Sequence, residues 1–144
     1  MVHPPMNIKA ALQDSASVLM AEAVAIALAA AITVQLGLHD TNFLWDSEEL
    51  VRFFNSDEHA NPPEWRIKHL AQQFVNCTQH RSTRIFKVHR TQNQTADMLA
   101  KQAFLDFQAG PVRLNLAHPH RCPVLQPLRS VMMNSVSILS ARCC

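Results

Sequence analysis

Three acids stand in local settings where solubility alone does not explain a carboxylate. Glu22 is the only charge in the apolar run from Val18 to Leu36, Asp46 closes the stretch Phe43-Leu44-Trp45, and Asp97 opens Asp97-Met98-Leu99-Ala100. Carboxylates carried on three separate elements and gathered by a fold are what a two-metal phosphodiester hydrolase requires. Each acid also has a structural reading. Glu22 near a helix start is favoured by the macrodipole, and Asp46 can cap a helix beginning at Ser47. Asp97 and Lys101 form an i, i+4 pair worth roughly 0.2–0.5 kcal/mol. Singly, the structural readings are the stronger; as a set, the metal-binding one is.

The elements that must carry these residues follow from periodicity and punctuation. Residues 6–13 read as a short edge strand. A long helix follows, with Ser15 or Ser17 as N-cap and Gly37 at its end. Thr41 to Trp45 reads as a strand buried on both faces, the mark of a central strand. Ser47 to Phe54 is a short amphipathic helix with acids in its first turn. After the polar loop Asn55–Pro63, Glu64 to Asn76 gives another helix, with Trp65, Leu70, Phe74 and Val75 available for one face. Arg84 to His89 is a strand, and Asn93 caps a helix running to about Gln108, stopped by Gly110-Pro111. The order is that of an α/β layered domain. Beyond Pro111 prolines and scattered polar residues precede Val131–Ser140, a run with no evident partner.

A chain of 144 residues with 48% hydrophobic and 17% charged residues has the makings of one folded domain. Its net charge of +2 is too small to imply nucleic acid by itself. The distribution says more: seven of the eleven acids fall between Asp40 and Glu64, while Arg81, Arg84, Lys87 and Arg90 form a purely basic stretch. That stretch suits phosphate contacts or a solvated face, and both readings stay open. The four cysteines have no repeated spacing, which fits a reduced intracellular setting. No secretory signal is evident. The Val18–Leu36 run is long enough to span a bilayer. Its alanine content and the mid-bilayer cost of Glu22, roughly 2.5–3.5 kcal/mol, favour a soluble core helix and no membrane partner.

Three segments in order, Ser17-Val-Leu-Met-Ala-Glu22-Ala-Val-Ala-Ile, Leu44-Trp-Asp46-Ser-Glu-Glu-Leu-Val51 and Val88-His-Arg90-Thr-Gln-Asn93-Gln-Thr-Ala-Asp97-Met-Leu-Ala100, resemble the ribonuclease H family. The closest look is to the reverse-transcriptase-like branch abundant in plants. The resemblance covers about residues 8–107, with 108–144 a loosely ordered extension. It implies a ribonuclease H-like three-layer α/β fold with a mixed sheet, lacking the N-terminal β-hairpin. It also implies hydrolysis of the RNA strand of an RNA–DNA hybrid with two Mg²⁺ ions. Glu22 and Asp46 would hold one ion and Asp97 the second. Arg90 and Asn93 would position the final loop or contact the hybrid backbone, with Arg84 and Lys87 of the basic stretch as further phosphate contacts, and His89 would be a strand-end residue. Acids crowded in this way, without metal, raise one another's pKa.

The family's set has four acids, the first in an Asp-Gly context on the opening strand. No Asp-Gly occurs in this sequence, and Asp14, the only acid before Glu22, falls in the turn leading to the helix. Two consequences are expected: a strand left unpaired along an edge, and a metal site without its bridging ligand, hence weak or absent cleavage. A second reading is a non-catalytic nucleic-acid-binding remnant of a retroelement-derived gene. A third is an interaction protein that binds zinc through His118, His120, Cys122, Cys143 and Cys144.

Overall fold

Ser17 begins the long helix in the way its sequence suggests. In the computed structural model, its hydroxyl accepts from the Met20 amide at 3.0 Å and donates to the Glu64 carboxylate at 2.6 Å. Helix α1 spans Val18–Gln35. It ends in a Schellman-type closure, where Leu38 N–H bonds Thr33 O and Gly37 N–H bonds Val34 O. Gly37 takes φ +66°, the left-handed turn that this closure needs. The structure describes residues 6–12, 17–56, 62–108, 115–117 and 136–143. These form two units, Ser15–Asn93 and Met1–Asp14 with Gln94–Cys144.

In the unit Ser15–Asn93, strands β2 (Asp40–Trp45) and β3 (Ser82–Lys87) pair in parallel, Asp40 opposite Ser82 and Trp45 opposite Lys87. Val88 N–H extends the ladder to Trp45 O at 2.8 Å. Helices α2 (Glu48–Asn55) and α3 (Lys68–Thr78) supply the cover, α3 preceded by a 3-10 turn at Trp65–Ile67. Phe74 of α3 lies edge-on to Phe43 of β2 and Phe54 of α2, with centroids 5.5 and 5.2 Å away. Such pairs add to the burial term by about 0.5–1.5 kcal/mol each. Helix α1 is long and apolar enough to cross a membrane by length and composition. Here it packs on α3 and buries Ala23, Val24, Ile26, Ala27, Leu28 and Ala30. Alanine at so many of these positions lets the helices approach closely.

Side chains from later in the chain hold both ends of α1. Ser17 meets Glu64 at the start. At the other end the Arg81 guanidinium donates to Leu38 O and, at 3.5 Å, to Thr33 O. Asn55 donates from its amide to Ile85 O at 3.1 Å, tying α2 to β3.

In the second unit, β1 (Met6–Leu12) pairs antiparallel with β5 (Val136–Cys143), with a register shift between Lys9 and Ala10. Strand β4 (Asn115–Ala117) adds in parallel to β5, giving the order β1-β5-β4, a mixed sheet. Helix α4 (Gln94–Gln108) packs on β1, buries Ala103 and is tied down by an ion pair of 2.6 Å between Lys9 and Asp106.

Three expectations need correction. Trp65 is not on a buried helix face: the segment opens as a 3-10 turn and leaves the indole 75% exposed, while Leu70 and Phe74 are buried. Strand β2 is not buried on both faces. Phe43 and Ile85 face the core, but Leu44, directly opposite Phe86 in register, is 57% exposed. A two-stranded sheet with helices against Phe43 has only one covered side among the described residues. The late apolar run does have a partner, since Val136–Cys143 pairs antiparallel along β1. Its mate is over a hundred residues upstream, so no local pattern announces it.

Candidate metal centre

Strand β2 carries Asp46 immediately beyond its last residue, and α1 carries Glu22 in its second turn. Both side chains are half-buried. Burial pushes the Glu22 carboxyl above its ordinary pKa of 4.5, and the negative charge of Asp46 pushes in the same direction. Opposing these are a hydrogen bond with the Ser47 side chain, the positive charge of Arg90 and a hydrogen bond with the Trp45 side chain. The expectation that crowded acids raise one another holds for Glu22, though desolvation is the larger cause.

Ser47, next to Asp46 in the chain, touches Glu22. Ser47, not Asp46, is the N-cap residue of α2, with extended backbone angles and no side-chain bond to its own helix. Its hydroxyl is engaged with Glu22 instead. Asp46 is therefore not the cap of α2. Sequence reasoning has Ser47 within the segment Leu44–Val51 without a role toward Glu22, and misses Trp45 as a Glu22 partner. The usable signal for Ser47 was a hydroxyl adjacent in sequence to a strand-end acid.

Asp97 lies in the first turn of α4, in the other unit, with an ion pair to Lys101 at 2.8 Å and its side chain 44% exposed. Among the described residues, no three His, Cys, Asp or Glu side chains are grouped to hold one ion. The two grouped acids, Glu22 and Asp46, fit a hard divalent cation: they offer carboxylate oxygens, and a cation would relieve the burial and repulsion that disfavour charge on Glu22.

The basic stretch is split by its own geometry. Arg81 is occupied with the α1 carbonyls. Arg84 is exposed on the same strand face as Phe86, and strand alternation sends Lys87 to the opposite face. Lys87 Nζ donates to Val88 O at 2.9 Å. Arg90 is exposed and opens a 3-10 turn that ends at Asn93, just before α4. His89, also exposed, has Nδ1 2.9 Å from Thr91 Oγ1, and its amide donates to Gln92 Oε1 at 3.2 Å. Of the zinc candidates, His118, His120, Cys122 and Cys144 lie outside the described residues, as does the Cys143 side chain.

A family model described as reverse transcriptase-like matches residues 6–103. The chain belongs to the reverse transcriptase-like family. Its members are ribonuclease H-like domains, and the mixed α/β architecture, with four α-helices among the described residues, is compatible with that fold. No curated protein and no solved structure gives a significant match. In this reverse transcriptase-like chain the matched span runs from β1 into α4 and includes Glu22, Asp46 and Asp97.

Proposed function

We propose that this chain is a nucleic-acid-binding ribonuclease H-like domain that takes RNA–DNA hybrid and holds Mg²⁺ on Glu22 and Asp46. The motif resemblance alone assigns Asp97 a metal-binding role. The observation that carries this reading is the match of residues 6–103 to the reverse transcriptase-like family, within which Glu22 and Asp46 are both half-buried and the Asp46 charge helps to hold the proton on Glu22. Mg²⁺ bound there would supply Lewis-acid activation of water and phosphate oxygen. Arg84, Lys87, Arg90 and Asn93 are assigned to phosphate contacts and to setting the loop before α4.

Cleavage by the 144-residue chain is expected to be weak or absent. The sequence offers no Asp-Gly acid for a bridging ligand, and preorganised charge is the largest source of rate in such sites. The reading of a non-catalytic binding remnant therefore shares this site and differs only in turnover. Labelled RNA–DNA hybrid, titrated in EDTA and then in Mg²⁺, tests both parts. Expected are salt-dependent binding and little product. Mg²⁺-dependent turnover abolished by Asp46→Asn would show the site to be a complete catalyst. Absence of hybrid binding at low salt would remove the nucleic-acid reading altogether.

A further inference from the structure

Trp65 is 75% exposed, a large apolar surface held out to solvent just after a turn rather than at a terminus. The Arg66 guanidinium lies over its ring at 5.4 Å from the centroid. Ile67 and Leu70 are buried and anchor the turn, so the indole stands on a fixed base. Arg66, Lys68 and His69 are exposed around it. The nearest described acid, Glu64, is already hydrogen-bonded to Ser17. That bond also sets the turn against Ser17, the N-cap of α1, and Glu22 lies five residues further along the chain, about 7.5 Å of axial rise.

We propose that Trp65 and Arg66 form a base-stacking contact for an unpaired stretch of nucleic acid beside the Glu22–Asp46 pair, with Lys68 on the phosphates. The proposal rests on the nucleic-acid reading above and names a contact that reading does not contain. An exposed indole with flanking cations is what sequence-tolerant binding of single strands uses: every base has a π-face, and backbone phosphates need positive charge. A protein partner would also take a Trp-Arg pair, but protein interfaces are depleted in Lys at their cores. Asp57 and Glu58 precede this turn in sequence, outside the described residues, so the salt dependence of binding reads the net field.

The test uses the full chain in EDTA, with a fluorescein-labelled single-stranded oligonucleotide and an RNA–DNA hybrid bearing a single-stranded overhang. Expected is a Trp65→Ala loss of about tenfold in affinity for the single strand, the scale of one base stack. Trp65→Phe should restore most of it, and blunt hybrid should be nearly unaffected. Wild-type tryptophan fluorescence should fall on binding, and Trp65→Phe should lose that quench. Circular dichroism and thermal midpoint check that each variant is folded. If the wild type binds hybrid but Trp65→Ala leaves single-strand affinity unchanged, the stacking contact is wrong while the broader reading stands. Unchanged affinity together with loss of self-association would assign the indole to a protein contact and overturn the proposal. If the wild type binds no nucleic acid, both readings fall together.

Discussion

Glu22 on α1 and Asp46, just past the end of β2, stand two dozen residues apart in sequence, and burial first and the Asp46 charge second raise the pKa of Glu22. Glu22 thus holds its proton more tightly in the folded chain than in the unfolded one. By linkage, the contribution of Glu22 to stability is fully present below the ordinary carboxyl value of 4.5 and is lost as pH rises through the raised folded value. Glu22→Gln keeps an acceptor for Ser47 and Trp45 but removes the charge. In EDTA its thermal midpoint should match the wild type at about pH 4 and exceed it at neutral pH. Equal differences at both pH values would show that Glu22 ionisation is not the cause.

Divalent cation should reverse that penalty. Mg²⁺ that binds only the folded chain raises its stability by about 2.7 kcal/mol at a hundred times Kd. The midpoint should climb with Mg²⁺ in the wild type and stay nearly flat in Glu22→Gln and Asp46→Asn. A climb of equal size in the two variants would place the ion elsewhere.

Phe74 joins β2, α2 and α3 through its contacts with Phe43 and Phe54. Phe74→Ala should cost about 3–5 kcal/mol and Phe74→Leu clearly less, read from urea unfolding midpoints. A cost near zero would mean these rings are not the core of the unit.

Gly37 has no atom within 4 Å of where a Cβ would stand, so only its backbone angle matters. Gly37→Ala should cost about 1–2 kcal/mol, and Gly37→Asn less, because Asn tolerates the left-handed region. Equal stability of Gly37→Ala and wild type in thermal melts would contradict this.

The four residues of the basic stretch should separate by experiment. Arg84→Ala, Lys87→Ala and Arg90→Ala should each reduce the slope of log affinity against log salt by about one. Arg81→Ala should lower the unfolding midpoint instead, since its guanidinium serves the end of α1. Were Arg81→Ala to change the slope without touching stability, that division would be wrong.

Much of the unit 15–93 was legible because its signals are local. Ser17 and Gly37 mark the ends of α1, Ser47 precedes two acids and an amphipathic turn, and apolar periodicity places Leu50, Phe54, Leu70 and Phe74 inward. The pairing of Glu22 with Asp46 was also within reach, since motif order implies it. What sequence could not give was set by tertiary partners. The exposure of Leu44 depends on what covers the second face of β2, and Trp65 faces out because the chain turns in 3-10 geometry before α3. Strand β5 needs a mate at the far end of the chain.

The double fastening of α1 has a mechanical meaning. With Ser17 hooked to Glu64 and the final carbonyls gripped by Arg81, the helix cannot ratchet along its own axis without breaking one clasp or the other. A slip of one residue would carry Glu22 about 1.5 Å, enough to spoil a ligand distance. Residues that never touch the acids therefore act as the stops that keep them level.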